Sequence, residues 1–210
     1  LALIGPNGAG KTTLVNLISG TVAPSAGSVW LAGEDVTRRS QAQRVRAGLA
    51  RTFQITTLAP HLPVQRQIEL ALFEREGLTG RAWRSIDGYP VLASEAQALL
   101  RGLGLGEHAG WPTERLAYGE QRLVELALAL ALRPRVLLLD EPMAGVPQGE
   151  GTRLLAALAA LPKELAVLII EHDMDLVFRF AQRIVVLAEG AVLADGTPEA
   201  IRSDPRVRAA

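Results

Sequence analysis

The chain contains no cysteine, which excludes disulfides, thiolate metal sites and thiol redox chemistry and suits a reducing cytosol. Net charge is missing too. Its 22 Lys and Arg residues balance 22 Asp and Glu, so no overall field draws it to nucleic acid or to an anionic membrane surface. Any such partner has to be met through a local patch. The longest apolar run, residues 123–132, is too short to span a bilayer and carries Glu125, so it reads as a buried helix. No secretory signal opens the chain. Residue 1 has no methionine before it and already lies in a strand pattern whose sheet neighbour is nowhere upstream, so a piece of a longer protein is expected. What remains is 210 residues, 49% of them hydrophobic, enough for one ordinary domain or a core with a small subdomain.

Residues 5–12 read GPNGAGKT, placed between the apolar run at residues 1–4 and a helical stretch that begins near Thr12. This is the order strand, glycine-rich turn, helix that a phosphate cradle requires. Gly5, Gly8 and Gly10 let the backbone wrap a polyphosphate and adopt positive φ without steric cost. Turn amides and the unpaired N–H groups of the helix start then face anionic oxygens along a favourable dipole. Lys11 adds a point charge for β and γ phosphates, and Thr12 offers a hydroxyl to magnesium. A glycine-rich turn that binds nothing is the bland alternative, and the strand and helix on either side weigh against it.

Apolar spacing at Leu14, Leu17 and Ile18 continues that helix until Gly20 stops it. Val29, Trp30 and Leu31 read as a strand followed by a turn, and residues 40–49 as a short polar helix with Val45 and Leu49 on one side. The arginines of that helix, including Arg44 and Arg46, are expected on a solvated face. Residues 60–112 change character, with helices at 64–73 and 94–103 interrupted by glycines, and read as a helical insertion. Beyond Gly119, the residues Leu123, Leu126, Ala127 and Leu130 line one helix face, and Pro134 ends it before a strand at 136–139. A helix at 152–161, a strand at 166–170, a helix at 176–181 and a strand at 183–187 follow. Alternation of this kind implies an α/β fold with a mostly parallel sheet covered by helices, and ligands collect outside the strand C-termini in such sheets.

The strand at 136–139 runs into Asp140, Glu141 and Pro142, which sets two carboxylates at the edge where the phosphate turn also lies. Asp140 there can hold magnesium through its water shell. Glu141 can orient and polarise a water for in-line attack on a γ-phosphoryl group. An acidic pair that merely starts a turn is the alternative, and the cradle earlier in the chain argues against it. His172 follows the strand at 166–170 by two residues and can donate a hydrogen bond to the γ-phosphate beside Glu141. His61 and His108 fall in the helical insertion without evident partners and carry no assigned chemistry.

With these residues in hand, the chain closely resembles the nucleotide-binding subunit of ATP-binding cassette (ABC) transporters. Five motifs occur in the family's order and cover nearly the whole chain: GPNGAGKT, Gln54 in RTFQ, LAYGEQR at 116–122, VLLLDEP at 136–142, and His172. The resemblance implies a P-loop NTPase fold with a small antiparallel β portion and a helical subdomain. It divides the chain into a nucleotide-binding core at 1–59, a helical subdomain at 60–115, the signature helix and remaining core at 116–187, and a hairpin and tail at 188–210. It also implies ATP and Mg2+ as cofactors, with Gly5, Pro6, Asn7, Gly8, Ala9, Gly10, Lys11, Thr12 and Thr13 at the phosphates. Thr12, Gln54 and Asp140 would serve the metal; Glu141, His172, Lys11 and Gln54 would serve catalysis. Ala117, Gly119 and Glu120 belong to the signature, which in the family closes over the γ-phosphate held by a second ATPase subunit, identical or related. Permease subunits in the membrane, and indirectly a solute-binding protein, are further implied partners; nucleic acid is not. The implied place is the cytoplasmic face of the plasma (inner) membrane.

LAYGEQR, the arginine of RTFQ, IIEHDMDLV and the tail GTPEAIRSDPRV are similar to the importers of branched-chain amino acids and their urea- and amide-importing relatives. Ala117 replaces the family's usual signature serine, which should weaken closure by about 1 kcal/mol. Pro147 stands where the family places Asn or Asp, so communication between paired sites is expected to change. The family's first strands, with an aromatic residue that stacks on adenine, are absent; losing that partner would weaken ATP binding by about 1 to 3 kcal/mol. Three rivals differ in what they require. A soluble cassette acting on nucleic acid or ribosomes needs a second cassette, a long coiled coil or a basic surface. A truncated or inactive cassette would serve as a binding or assembly module, and an unrelated phosphate-loop kinase would lack LAYGEQR.

Overall fold

The computed structural model of the chain describes residues 1–52, 58–78, 85–147 and 149–209. The chain divides into two compact units, the first comprising Leu1–Arg51, Arg135–Pro142 and Lys163–Ala210, the second Thr52–Pro134 and Met143–Pro162. The first unit holds β1 (Ala2–Ile4), α1 (Lys11–Ser19), β2 (Trp30–Leu31), β3 (Glu34–Asp35), α2 (Gln41–Arg46) and β4 (Leu49–Arg51). After the second unit's α3 (Val64–Arg75), α4 (Pro90–Gly102) and α5 (Tyr118–Ala131), the chain returns with β5 (Val136–Asp140). It then runs through α6 (Gly151–Ala159) of the second unit to β6 (Ala166–Ile170), α7 (Met174–Phe180), β7 (Ile184–Ala188), β8 (Ala191–Gly196), α8 (Pro198–Ser203) and α9 (Pro205–Ala209).

Among the described residues six strands form one sheet in the order β4-β5-β6-β1-β7-β8. All neighbours are parallel except β8, which pairs antiparallel with β7 through a tight turn at Glu189 and Gly190. Strand β1 and the first four residues of β5 are apolar because parallel strands inside such a sheet are covered on both faces. Leu3, Leu138 and Ile170 from three of these strands cluster with Val15 of α1 and with Leu31 and Val36 from the β2-β3 hairpin. That hairpin is the small antiparallel portion expected of the fold.

The expected helix at 40–49 is shorter. Helix α2 ends at Arg46, Gly48 turns the chain with φ 102, and Leu49 begins β4 instead of completing a helix face. Leu49 and Ala50 are buried because β4 forms the edge of the sheet against β5. The arginines of α2 also divide. Arg46 is exposed, but Arg44 is only 1% exposed and donates to four backbone carbonyls.

In the second unit α3 packs on α4 and α5, and Val64, Ile68 and Leu72 of α3, Leu92, Ala96 and Leu100 of α4, and Leu123 and Leu126 of α5 are buried. Helix α5 is buried more widely than one stripe, taking in Val124 and Ala129 as well. Its interior charge is compensated locally. Glu125 accepts from Arg122 one turn earlier at 2.8 Å, so the carboxylate that interrupts the apolar run is held as an ion pair. Among the described residues no helix is long and apolar enough to cross a membrane.

Candidate functional site

The phosphate turn leaves β1 at Gly5 and enters α1 at Lys11. Gly5 has φ +148, and a Cβ there would lie 2.1 Å from the Leu187 carbonyl oxygen, so the position is closed to any side chain. Gly8, at φ +81, has open space around it, so its glycine is required by conformation alone. Gly10 caps α1 in the left-handed region without any side-chain hydrogen bond, which leaves the first N–H groups of the helix available to an anion. Ala9 is fixed from both sides, its N–H donating to Pro6 and its carbonyl accepting from Gly190. Thr12 and Thr13 are exposed on the first turn, as are Pro6 and Asn7 in the loop.

Lys11 is 6% exposed, and its Nζ donates to the carbonyls of Gly5 at 2.7 Å and Pro6 at 2.9 Å. Burial pushes its ammonium below the ordinary lysine range, and the charge of Glu141 opposes that shift. A polyphosphate would add countercharge beside this buried cation. Loop amides, an open helix start and a desolvated lysine together fit a nucleotide's phosphates.

At the carboxyl end of β5, Asp140 is buried and its Oδ2 accepts from Arg51 Nη2 at 2.8 Å. Glu141 leaves the strand with φ 49, a left-handed value uncommon for a non-glycine residue, and its N–H donates to Ile170. This turn aims the side chain toward β6. Glu141 Oε1 lies 2.7 Å from His172 Nε2, so the two expected catalytic residues meet directly. The His172 N–H in turn donates to Glu171 Oε2, which sets the backbone beyond β6. Among the described residues no group of three or more His, Cys, Asp or Glu is disposed to hold a metal. One carboxylate, Asp140, and one hydroxyl, Thr12, suit magnesium that arrives on phosphate oxygens and keeps several waters. Gln54 lies outside the described residues.

The signature segment belongs to the second unit and starts α5, with Ala117 at the cap position. Glu120 supplies the reciprocal half of a capping box, its Oε2 accepting from the Ala117 N–H at 3.2 Å, whereas alanine offers no oxygen to the N–H groups of the helix start. Its other oxygen accepts from Arg153 at 3.0 Å. The N–H of Gly119 donates to Glu150 Oε2 at 2.8 Å, and a Cβ on Gly119 would meet Glu150 Cβ at 2.9 Å. This helix start therefore does attract an anion, one supplied by its own chain. Pro147 is exposed, and its carbonyl accepts from Glu150 and Gly151, so it opens the turn that starts α6.

Residues 1–144 match the family described as ABC transporter, and residues 191–210 match the branched-chain amino acid ATP-binding cassette transporter family. The chain belongs to the ABC transporter ATP-binding family. Over 99% of its length, and 84% of the relative's, the cassette is 38% identical to the high-affinity branched-chain amino acid transport ATP-binding protein BraF of Pseudomonas aeruginosa. It is 37% identical, over the same shares, to LivG of Salmonella typhimurium, which carries the same description. A crystal structure of a nucleotide-free ATP-binding cassette from an ABC transporter matches at a TM-score of 0.83 and 28% identity, covering 99% of this cassette and 85% of that chain. A second, in the ADP conformation, matches at 0.82 with the same identity and coverage. The cassette is thus a nucleotide-binding ATPase with the P-loop fold expected.

Arg51 is the site residue that sequence reasoning missed. It entered only as a mark of the importer group, because the expected helix took in Leu49 and left residues 50 and 51 in no element, so nothing placed this arginine beside β5. The signal available was the apolar pair Leu49 and Ala50 after Gly48, too short to stand out as a strand.

Proposed function

We propose that this cassette hydrolyses ATP to energise an importer of branched-chain amino acids. The observation that carries the reading is the 2.7 Å contact between Glu141 Oε1 and His172 Nε2 at the sheet end that also carries Asp140, with Glu141 close enough to act on the Lys11 charge. Lys11, the amides of residues 7, 8 and 10–13 and the α1 start bind and orient the triphosphate. Bound magnesium would neutralise charge developing on the phosphate oxygens; Thr12 and Asp140 would hold it, and the family resemblance assigns Gln54 the same task. Glu141 accepts a proton from the attacking water as its oxygen bonds to the γ-phosphorus and the bond to the β–γ bridging oxygen breaks, giving ADP and inorganic phosphate. His172 keeps that carboxylate oriented and donates to the γ-phosphate.

Closure by the LAYGEQR segment of a second cassette would complete each site, and membrane permease subunits would hold the pair at the cytoplasmic face. The similarity to BraF and LivG, together with the match at residues 191–210, supports a branched-chain amino acid as the solute over urea or an amide. The test is the reconstituted transporter in vesicles, with its solute-binding protein charged with leucine or with urea. Leucine should stimulate ATP hydrolysis and be taken up; stimulation by urea alone would overturn the solute assignment. Glu141→Gln should retain ATP binding while hydrolysis falls about 100-fold or more, and unchanged hydrolysis would remove Glu141 from the role of base.

A further inference from the structure

The torsion that rotates a carboxylate is broad and two-fold, so the burial of Asp140 does not by itself decide which oxygen faces outward from the end of β5. Arg51 decides it. This arginine ends β4, opposite Leu138 of the parallel neighbour β5, and its Nη2 reaches Asp140 Oδ2 two residues further along at 2.8 Å. Its Nη1 donates to Asn16 Oδ1 at 2.7 Å and to Ser19 Oγ at 3.3 Å. Asn16 and Ser19 follow Thr12 by four and seven positions on α1, so all three share one stripe of the helix. One planar fork thus ties the carboxylate from β5 to the helix face that carries the Thr12 hydroxyl a turn away.

We propose that Arg51 is a positioning residue for the divalent cation that accompanies the nucleotide. By holding Oδ2, it turns the other oxygen of Asp140 toward the water shell of the cation and fixes its register with Thr12. This rests on the nucleotide reading above. A buried ion pair contributes little net stability compared with apolar side chains of equal volume, so a role in fold strength alone gives no reason for an arginine here. A guanidinium, unlike an ammonium, can bond the carboxylate and Asn16 from two nitrogens in one rigid plane. Outer groups that orient a metal's ligands typically govern affinity by 10- to 100-fold.

The readout is the ratio of affinities for a fluorescent ATP analogue in Mg2+ and in EDTA, measured on the purified protein by titration. Arg51→Met should lower that ratio about tenfold and leave the affinity in EDTA, set by the loop and Lys11, within about twofold of wild type. Arg51→Lys should fall between the two, and Asn16→Ala should shift the ratio in the same direction. In an Asp140→Asn background, Arg51→Met should add nothing, because the arginine acts through that carboxylate. An unchanged ratio in Arg51→Met, or an equal loss with and without Mg2+, would overturn the inference and leave a structural ion pair. Should Arg51→Met lose its cooperative thermal transition, Arg51→Lys and Asn16→Ala decide by the same ratio. Wild-type protein that binds no nucleotide would remove the functional reading and this inference with it, whereas normal Mg2+ dependence shared by every variant would remove the inference alone.

Discussion

Replacing Arg44 should destabilise the helix that carries the phosphate loop. The guanidinium is 1% exposed and donates from Nη1 to the carbonyls of Leu17 at 2.6 Å and Ile18 at 2.7 Å, from Nη2 to Thr37 at 2.8 Å and from Nε to Arg39 at 3.1 Å. Leu17 and Ile18 are in the last turn of α1, where the i+4 helical donors run out and a cation meets the negative end of the dipole; the Leu17 carbonyl also accepts from the Gly20 N–H at 3.3 Å. Burial pulls the Arg44 guanidinium below its ordinary range, with Asp35 opposing, and an arginine still remains charged. Arg44→Met keeps most of the volume but removes these donors, leaving Leu17 with only the 3.3 Å bond from Gly20. At about 1 to 3 kcal/mol for each buried acceptor left unsatisfied, offset by the several kcal/mol no longer needed to desolvate the cation, the net loss should be about 3 kcal/mol. That corresponds to a fall in Tm of about 6 to 12 °C for a chain of this size.

A local measurement is needed because two compact units need not unfold together. Amide hydrogen exchange across residues 14–22 should accelerate in Arg44→Met more than exchange in β6. Gly20 supplies an internal control. It sits at φ +80, and a Cβ there would lie 2.8 Å from Arg44 Nε, so Gly20→Ala combines backbone strain with a clash. The clash should vanish in an Arg44→Ala background, which removes the Cδ, Nε and Cζ atoms that make it, so Gly20→Ala and Arg44→Ala should be non-additive by about 1 kcal/mol. A loss below about 0.5 kcal/mol for Arg44→Met, with unaltered exchange at the end of α1, would refute the capping argument.

Gly5→Ala and Gly8→Ala should separate space from conformation. The first drives a methyl into the Leu187 carbonyl and should abolish nucleotide binding or folding, whereas the second meets open space and should lower stability by only about 1 to 2 kcal/mol by chemical denaturation. In the second unit Arg75 donates through both terminal nitrogens to Glu95 and also to the Ala131 carbonyl at the end of α5. The hydrogen bond from Arg75, opposed by burial, holds the Glu95 carboxyl below its ordinary 4.5, so its stabilisation is present above that pH and is lost as pH falls through the lower folded value. Glu95→Gln should therefore lower stability by about 1 to 2 kcal/mol near pH 7, and the difference from wild type should shrink in thermal melts run progressively below 4.5; a constant difference would show that the charge of Glu95 is not what matters.

Where a sequence signal was strong, its cause was local. The glycines of residues 5–10 announce a turn because positive φ is a property of each residue, and the apolar run of β5 announces a buried strand because every position is covered. Asp140, Glu141 and His172 could be placed at strand ends for the same reason, and the 2.7 Å meeting of Glu141 with His172 follows from β5 and β6 being parallel neighbours. Arg44 and Arg51 resisted because their surroundings are set by segments far away in the chain. A polar helix with two arginines has the composition of a solvated face, and only the C-terminal end of α1, lying against it, turns one of them inward. Strand β4 is three residues long and is a strand only because β5, more than eighty residues later, lies beside it. Its terminal arginine then reads as surface charge until that pairing is known, and as a partner of Asp140 once it is. The chemistry carried by single motifs was legible at the level of residue types, whereas the groups that hold those motifs in register depend on long-range pairing that no short window of sequence contains.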